Sequence, residues 1–331
     1  MHDVRRRLFL ISAGMLFAAP FASVAQQPGK VWRIGFLTTR SRPSSLETDF
    51  LGAWIPKLRE LGYVEGKDFT IDWRFADGDN DRLPGLAAEL VRLNPDLIIV
   101  AGTPAARAAQ NATSTIPIVM AGVADPVGLG LVASLSRPGG NITGSSIMAT
   151  DVSIKSLEFL RAMVPNLTRV AVLLNPTNPI DPVVLKQVQA AAGPVGVSVV
   201  AFEATNPGQI DAAFAAIAQS RVGALIVAPD PFLVNQASQI VESATRNRLP
   251  AMYPFRPFVE AGGLMCYGQN IYENYRLAAT YIDRIFKGAK PGELPVEQPT
   301  QLEFVVNSKA AAAIGLKIPQ SILLRANQVI E

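Results

Sequence analysis

Two aspartates, Asp125 and Asp230, are each followed by proline and stand just beyond a short apolar run. Thr103-Pro104 and the pair Asn175 and Asn178 occupy the same position relative to apolar runs of their own. Threonine before proline marks a helix start, where free backbone N–H groups and the helix dipole attract a carboxylate or phosphate. A carboxylate beside such a start could take an ammonium, so the chemistry on offer is recognition of a small charged molecule. Each residue also has a plain local reading: Asp125 as the cap of the following turn, Thr103 as the cap of its own helix, and the Asn-Pro and Asp-Pro pairs as turn formers. Histidine and cysteine chemistry is excluded for a processed chain, because the one histidine is His2 and the one cysteine is Cys266. No disulfide can form within the chain, and zinc sites built on those residues are ruled out.

These residues need elements to hold them. Short apolar runs bounded by turn residues predict strands over 34–38, 69–75, 96–101 and 117–122, and again over 169–174, 197–203, 222–227 and 250–253. Helical stretches alternate with them, at 82–93, 183–192, 209–219 and 234–246, one that runs to Leu61 is closed by Gly62, and one from Tyr275 to Phe286 is ended by Gly288. Strand and helix in alternation predict parallel sheets with right-handed crossovers, and two such series predict two similar α/β lobes. In open α/β sheets ligands sit outside the carboxyl ends of the strands. That edge collects Thr39 and Ser41 from the loop after the first strand, Thr103, Asp125, Asn175, Asn178, Asp230 and Tyr253. The Thr39 loop carries arginines where a nucleotide protein would carry glycines, and no phosphate-loop or dinucleotide fingerprint is present. Connectors near Ser145, Gln269 and Pro299 predict a multi-strand hinge, with residues 31–146 and about 270–298 in the first lobe and 147–269 and about 299–331 in the second.

The run DPVGLGLVASLSRPGGNITG, the block LPAMYPFRPFVEAGGLMCYGQN with LAATYIDRIFKGAKPGELPVEQPTQLEFVVN, and the end AAAAIGLKIPQSILLRANQVIE resemble the ABC-transporter substrate-binding proteins, a family that includes bacterial tryptophan- and tyrosine-binding lipoproteins. The resemblance covers most of the chain from Val31 onward. It implies a type I periplasmic-binding-protein fold, two lobes facing one another across a ligand cleft, and a small-molecule ligand delivered to a membrane ABC permease and its ATPase. It further implies an amino acid held by its carboxylate at Thr103 and by its ammonium near Asp125 or Asp230. The Thr39–Ser45 loop has two arginines and no aromatic residue for an indole, so another small carboxylate, an aromatic acid included, is the alternative.

Arg5, Arg6 and Arg7 precede an apolar run from Leu8 to Ala22 and the small residues Ser23-Val24-Ala25, which predicts a secretory signal cut between Ala25 and Gln26 and a periplasmic mature protein. Arg6-Arg7 also fits twin-arginine export. The run is too short for a spanning helix, and no cysteine follows it to carry a lipid. Removing residues 1–25 takes away three arginines and one aspartate, which lowers the formal charge from +3 to +1, so nucleic acid is not an expected partner. The chain is expected to be a monomer without cofactor or metal and not an enzyme. Two alternatives remain, an exported enzyme working with the carboxylates Asp125 and Asp230, and a ligand-binding sensor partner.

Overall fold

The computed structural model describes residues 30–298 and 301–331. The expected signal, its cleavage point and the Pro299 connector lie outside the described residues. The first lobe is built from β1 (Trp32–Thr38), α1 (Trp54–Glu60), β2 (Phe69–Phe75), α2 (Leu83–Arg92), β3 (Leu97–Ala101), α3 (Thr103–Ala112), β4 (Ile118–Ala124) and β5 (Ile142–Ile147). The strands form a parallel sheet in the order β2-β1-β3-β4-β5. Leu97 to Ala101 is buried at every position, as a strand covered by helices on both faces must be.

The chain repeats this pattern with α4 (Ala149–Met163), β6 (Arg169–Leu174), α5 (Asp181–Ala192), β7 (Ser198–Glu203), α6 (Pro207–Gln219), β8 (Ala224–Val227), α7 (Pro231–Asn235), α8 (Ala237–Arg246), β9 (Ala251–Tyr253), α9 (Arg256–Glu260) and β10 (Met265–Gln269). Their sheet runs β7-β6-β8-β9-β10, the order of the first sheet again. After α10 (Ile271–Phe286), which packs back on α1, β4 and β5, the chain adds β11 (Leu302–Asn307), α11 (Ser308–Ala313), α12 (Gln320–Leu323) and β12 (Gln328–Ile330) to the second lobe. β11 is antiparallel to β10, and β12 is parallel to β11.

The crossings between lobes lie side by side. Ser145 bridges to Glu297, the Ser146 amide donates to the Glu297 carbonyl at 2.8 Å, and the Met148 amide donates to Gln269 Oε1 at 2.9 Å. An isolated bridge and one buried glutamine therefore tie the connectors together at one edge.

Three elements differ from the sequence expectation. Gly102, at φ +90°, caps α3, so Thr103 is its first helical residue and not its cap. The helix expected over 234–246 is two helices broken at Gln236, because Asp230 and Pro231 start a short turn of their own. The helix expected from Tyr275 starts one turn earlier, at Ile271. Its cap is Asn270, whose Oδ1 accepts the Glu273 amide at 3.2 Å.

Candidate functional site

A cavity lies between the lobes at the carboxyl edge of both sheets. The space among its lining atoms, open solvent included, is about 470 Å³. The first lobe contributes Arg40 and Phe50, Gly102 and Thr103 at the start of α3, the β4 pair Ala121 and Gly122, and Asn274 and Tyr275 on α10. The second contributes Pro229, Asp230 and Pro231 after β8, with Phe255 after β9. Most of the wall is apolar and three of its residues are aromatic, which suits a compact ring; the polar groups are few and specific.

Asn274 is the most informative of them. It is fully buried, and neither Oδ1 nor Nδ2 has a hydrogen-bond partner. Leaving both halves of a buried amide unpaired costs about 1–3 kcal/mol per group, so such a side chain in a cavity wall is poised for a ligand. Its position follows from the early start of α10: beginning at Ile271 makes residue 274 part of the first turn and sets it beside Gly122. The Asn270-x-x-Glu273 spacing, a capping signature, could have located that start in the sequence.

Arg40 is a second wall residue outside the sequence expectation. Its two terminal nitrogens grip Asp49 at 2.9 and 3.0 Å, and its guanidinium lies 4.3 Å above the Phe50 ring. The Nε is buried without a partner. A fixed cation whose Nε has no partner thus borders the cavity, and the start of α3 lies on the same wall.

The predicted residues divide. Thr103 and Asp230 line the cavity. The Thr103 hydroxyl is already engaged, accepting the Ala124 amide at 3.2 Å, so it fixes β4 against α3. Asp230 is wholly buried; its Oδ1 accepts the Leu233 amide at 2.9 Å, and its Oδ2 accepts Asn175 at 3.3 Å and Asn178 at 3.0 Å. Burial, the largest influence, raises its carboxyl to about 6 against the pull of these donors. Asp181 lies behind it, with Oδ2 on the Asn175 amide at 2.9 Å and Oδ1 unpartnered. Burial, and then the neighbouring Asp230 charge, hold Asp181 well above the usual carboxylate range. Thr39 is fully buried and donates to Asn80 Oδ1 at 2.7 Å, and Ser41 Oγ accepts Asn235 Nδ2 from the facing lobe at 3.5 Å.

Asp125 and Tyr253 are not brought to this cavity. Asp125 is exposed in a turn at φ +39°, its Oδ1 accepting the Gly128 amide at 2.9 Å, and it borders a separate depression near Met148 and Thr150. The carboxylate pair of the enzyme alternative, Asp125 with Asp230, therefore does not meet in one cavity. Tyr253 is buried in the second lobe and stacked on Phe258 at 4.8 Å. The Cys266 thiol is buried and pushed up to about 12 by that burial, far from thiolate reactivity.

Comparison with known proteins agrees with this architecture. A Clostridioides difficile protein named tyrosine-binding protein is 27% identical over 265 residues, covering 80% of this chain and 76% of that protein. The structure of the ABC domain from Streptococcus pneumonia in complex with L-Trp is 28% identical, with a TM-score of 0.82 over 91% of this chain and 100% of that one. The ligand-free, open structure of a Clostridium difficile substrate binding protein with adhesive properties, 25% identical over 91% of this chain and 99% of that one, gives a TM-score of 0.62. At similar identity the chain thus superposes better on the liganded arrangement than on the open one, in keeping with lobes that touch. The family described as ABC transporter substrate binding protein matches residues 46–330, and the chain belongs to that family.

Proposed function

We propose that the mature chain is the exported solute-binding component of an ABC importer. It captures a small organic acid, an amino acid or an aromatic acid, between its lobes and presents it to a membrane permease and its ATPase. It acts as a monomer by binding alone, without catalysis. The names of the relatives, one binding tyrosine and one holding L-Trp, support an amino acid as the first class to try. Family membership and the basic, apolar and small-residue order of residues 1–25 support work outside the cytoplasmic membrane after cleavage near Gln26.

The observation that carries the reading is Asn274, a buried amide with both hydrogen-bonding atoms open in a wall that also holds Arg40 and Asp230. In this reading the ligand's carboxylate meets Arg40 Nε and the α3 amides, its remaining polar group meets Asn274 beside Asp230, and its apolar part lies among Phe50, Phe255 and Tyr275. The test is a thermal-shift screen of amino acids and aromatic acids on protein starting at Gln26, because a ligand that binds only the folded state raises its melting temperature. A compound that shifts the parent should fail to shift Asn274→Ala. A shift kept by that variant would move the site elsewhere. Mass spectrometry of the periplasmic fraction checks export, and Met1 retained on cytoplasmic protein would contradict it.

A further inference from the structure

Four hydrogen bonds run from the first lobe to the cavity carboxylate in one direction. Thr39 Oγ1 donates to Asn80 Oδ1 at 2.7 Å, and Asn80 Nδ2 donates to Thr177 Oγ1 at 2.9 Å. Thr177 Oγ1 in turn donates to Asn175 Oδ1 at 2.7 Å, and Asn175 Nδ2 donates to Asp230 Oδ2 at 3.3 Å. Chains of this kind polarise one another, here toward a carboxylate at the accepting end. Only one link, Asn80 to Thr177, crosses between lobes. Thr39 is rooted at the end of β1 and Asn175 at the end of β6, so the chain's ends are fixed by the sheets.

We propose that Asn80 and Thr177 are positioning residues that hold the lobes closed and couple that closure to Asp230 in the ligand cavity. When the lobes part, Asn80 loses Thr177, whose hydroxyl is then free to turn away from Asn175, which keeps only the Thr177 backbone amide, at 3.1 Å, on its Oδ1. The donor geometry around Asp230 relaxes with it. When they meet, the Asn80 amide occupies the Thr177 oxygen and directs the hydroxyl proton to Asn175, which presents its own amide to Asp230. Closure thereby sets the surroundings of a cavity carboxylate through residues that do not line that cavity themselves.

The proposal rests on the ligand lying in this cavity, and its test keeps the two apart. Spin labels at Glu65→Cys and Arg221→Cys, one exposed position on each lobe, report the interlobe distance, since Cys266 is buried. Distance distributions are recorded for the full mature chain alone and with L-tyrosine, L-tryptophan and benzoate in turn. Loss of one hydrogen bond of this kind should lower the ratio of closed to open molecules about threefold to tenfold in Asn80→Ala and in Thr177→Val. Thr177→Ser, which keeps the hydroxyl, should restore the parent ratio. The double variant should be no worse than either single, because both remove the same interlobe bond and the other bonds each removes lie within one lobe. An unchanged ratio in the single variants, additive losses in the double, or a parent that never populates a short distance would each overturn the proposal. Asn274→Ala should abolish any ligand-dependent shift, so a misplaced ligand site shows itself separately.

Discussion

Gly102 and Pro231 meet across the cleft so closely that a methyl group on Gly102 would come within 2.4 Å of the proline Cγ. Gly102 also holds φ at +90°, which side-chain-bearing residues rarely adopt. One glycine therefore does two things, turning the chain from β3 into α3 and letting the second lobe close on the start of that helix.

Gly102→Ala should damage ligand capture more than folding. Strain at a positive φ costs on the order of 1–3 kcal/mol in either lobe arrangement. The clash with Pro231, by contrast, exists only when the lobes are shut. Scattering in the presence of a ligand that compacts the parent should show the variant still extended; full compaction would mean that Pro231 yields.

Asn274→Ala should separate stability from function in the other direction. Because the amide has no internal partner, its removal relieves a burial penalty of about 1–3 kcal/mol, partly offset by the lost packing. The ligand-free melting temperature should stay level or rise while affinity falls. A large drop in the ligand-free melting temperature would show that the amide has a structural partner.

The buried acids Asp181 and Asp230 should make stability fall as pH rises. Both have folded values above the usual 3.8, Asp230 at about 6 and Asp181 well raised, so the folded state holds more protons than the unfolded one through this range. Stability contributed by the protonated forms is complete below about 4 and is lost as pH passes through the folded values. Asp181→Asn removes one of the two titrations. Its melting temperature should gain on the parent's steadily from about pH 4 upward, and a gap that stays constant with pH would show that Asp181 ionises in the fold as it does in water.

Much of the scaffold was legible in the sequence because its strands are continuous apolar runs and its turns use proline and glycine. Phe69–Phe75 and Arg169–Leu174 begin and end where the pattern predicts. Thr103 and Asp230 were legible as residues of the cavity wall for a related reason, since each follows a strand at the edge where both sheets present their carboxyl ends. Asp125 follows a strand too, but a left-handed turn at that residue spends its carboxylate on Gly128, and the apolar pattern does not reveal which way a loop turns. Asn274 was hidden by the reverse problem. It lies inside a helix, where polar residues ordinarily face water, and only tertiary packing of α10 on β4 and β5 directs it inward.

Arg40 offers the sharpest test of the ligand's charge. Each terminal nitrogen gives one N–H to Asp49 and the face lies on Phe50, while the buried Nε–H has no partner and is a donor with which an anion can be gripped. Lysine keeps the charge but can neither clamp Asp49 with two parallel bonds nor stack flat on the ring. If the ligand is a carboxylate held at this point, Arg40→Lys should weaken binding by about 1.5–3 kcal/mol, roughly tenfold to a hundredfold, the range for a hydrogen bond to a charged group. The methyl ester of the same ligand should bind the parent and the variant equally poorly. Calorimetry on the four combinations measures this directly, and an ester that binds the parent as well as the free acid would take the carboxylate away from Arg40.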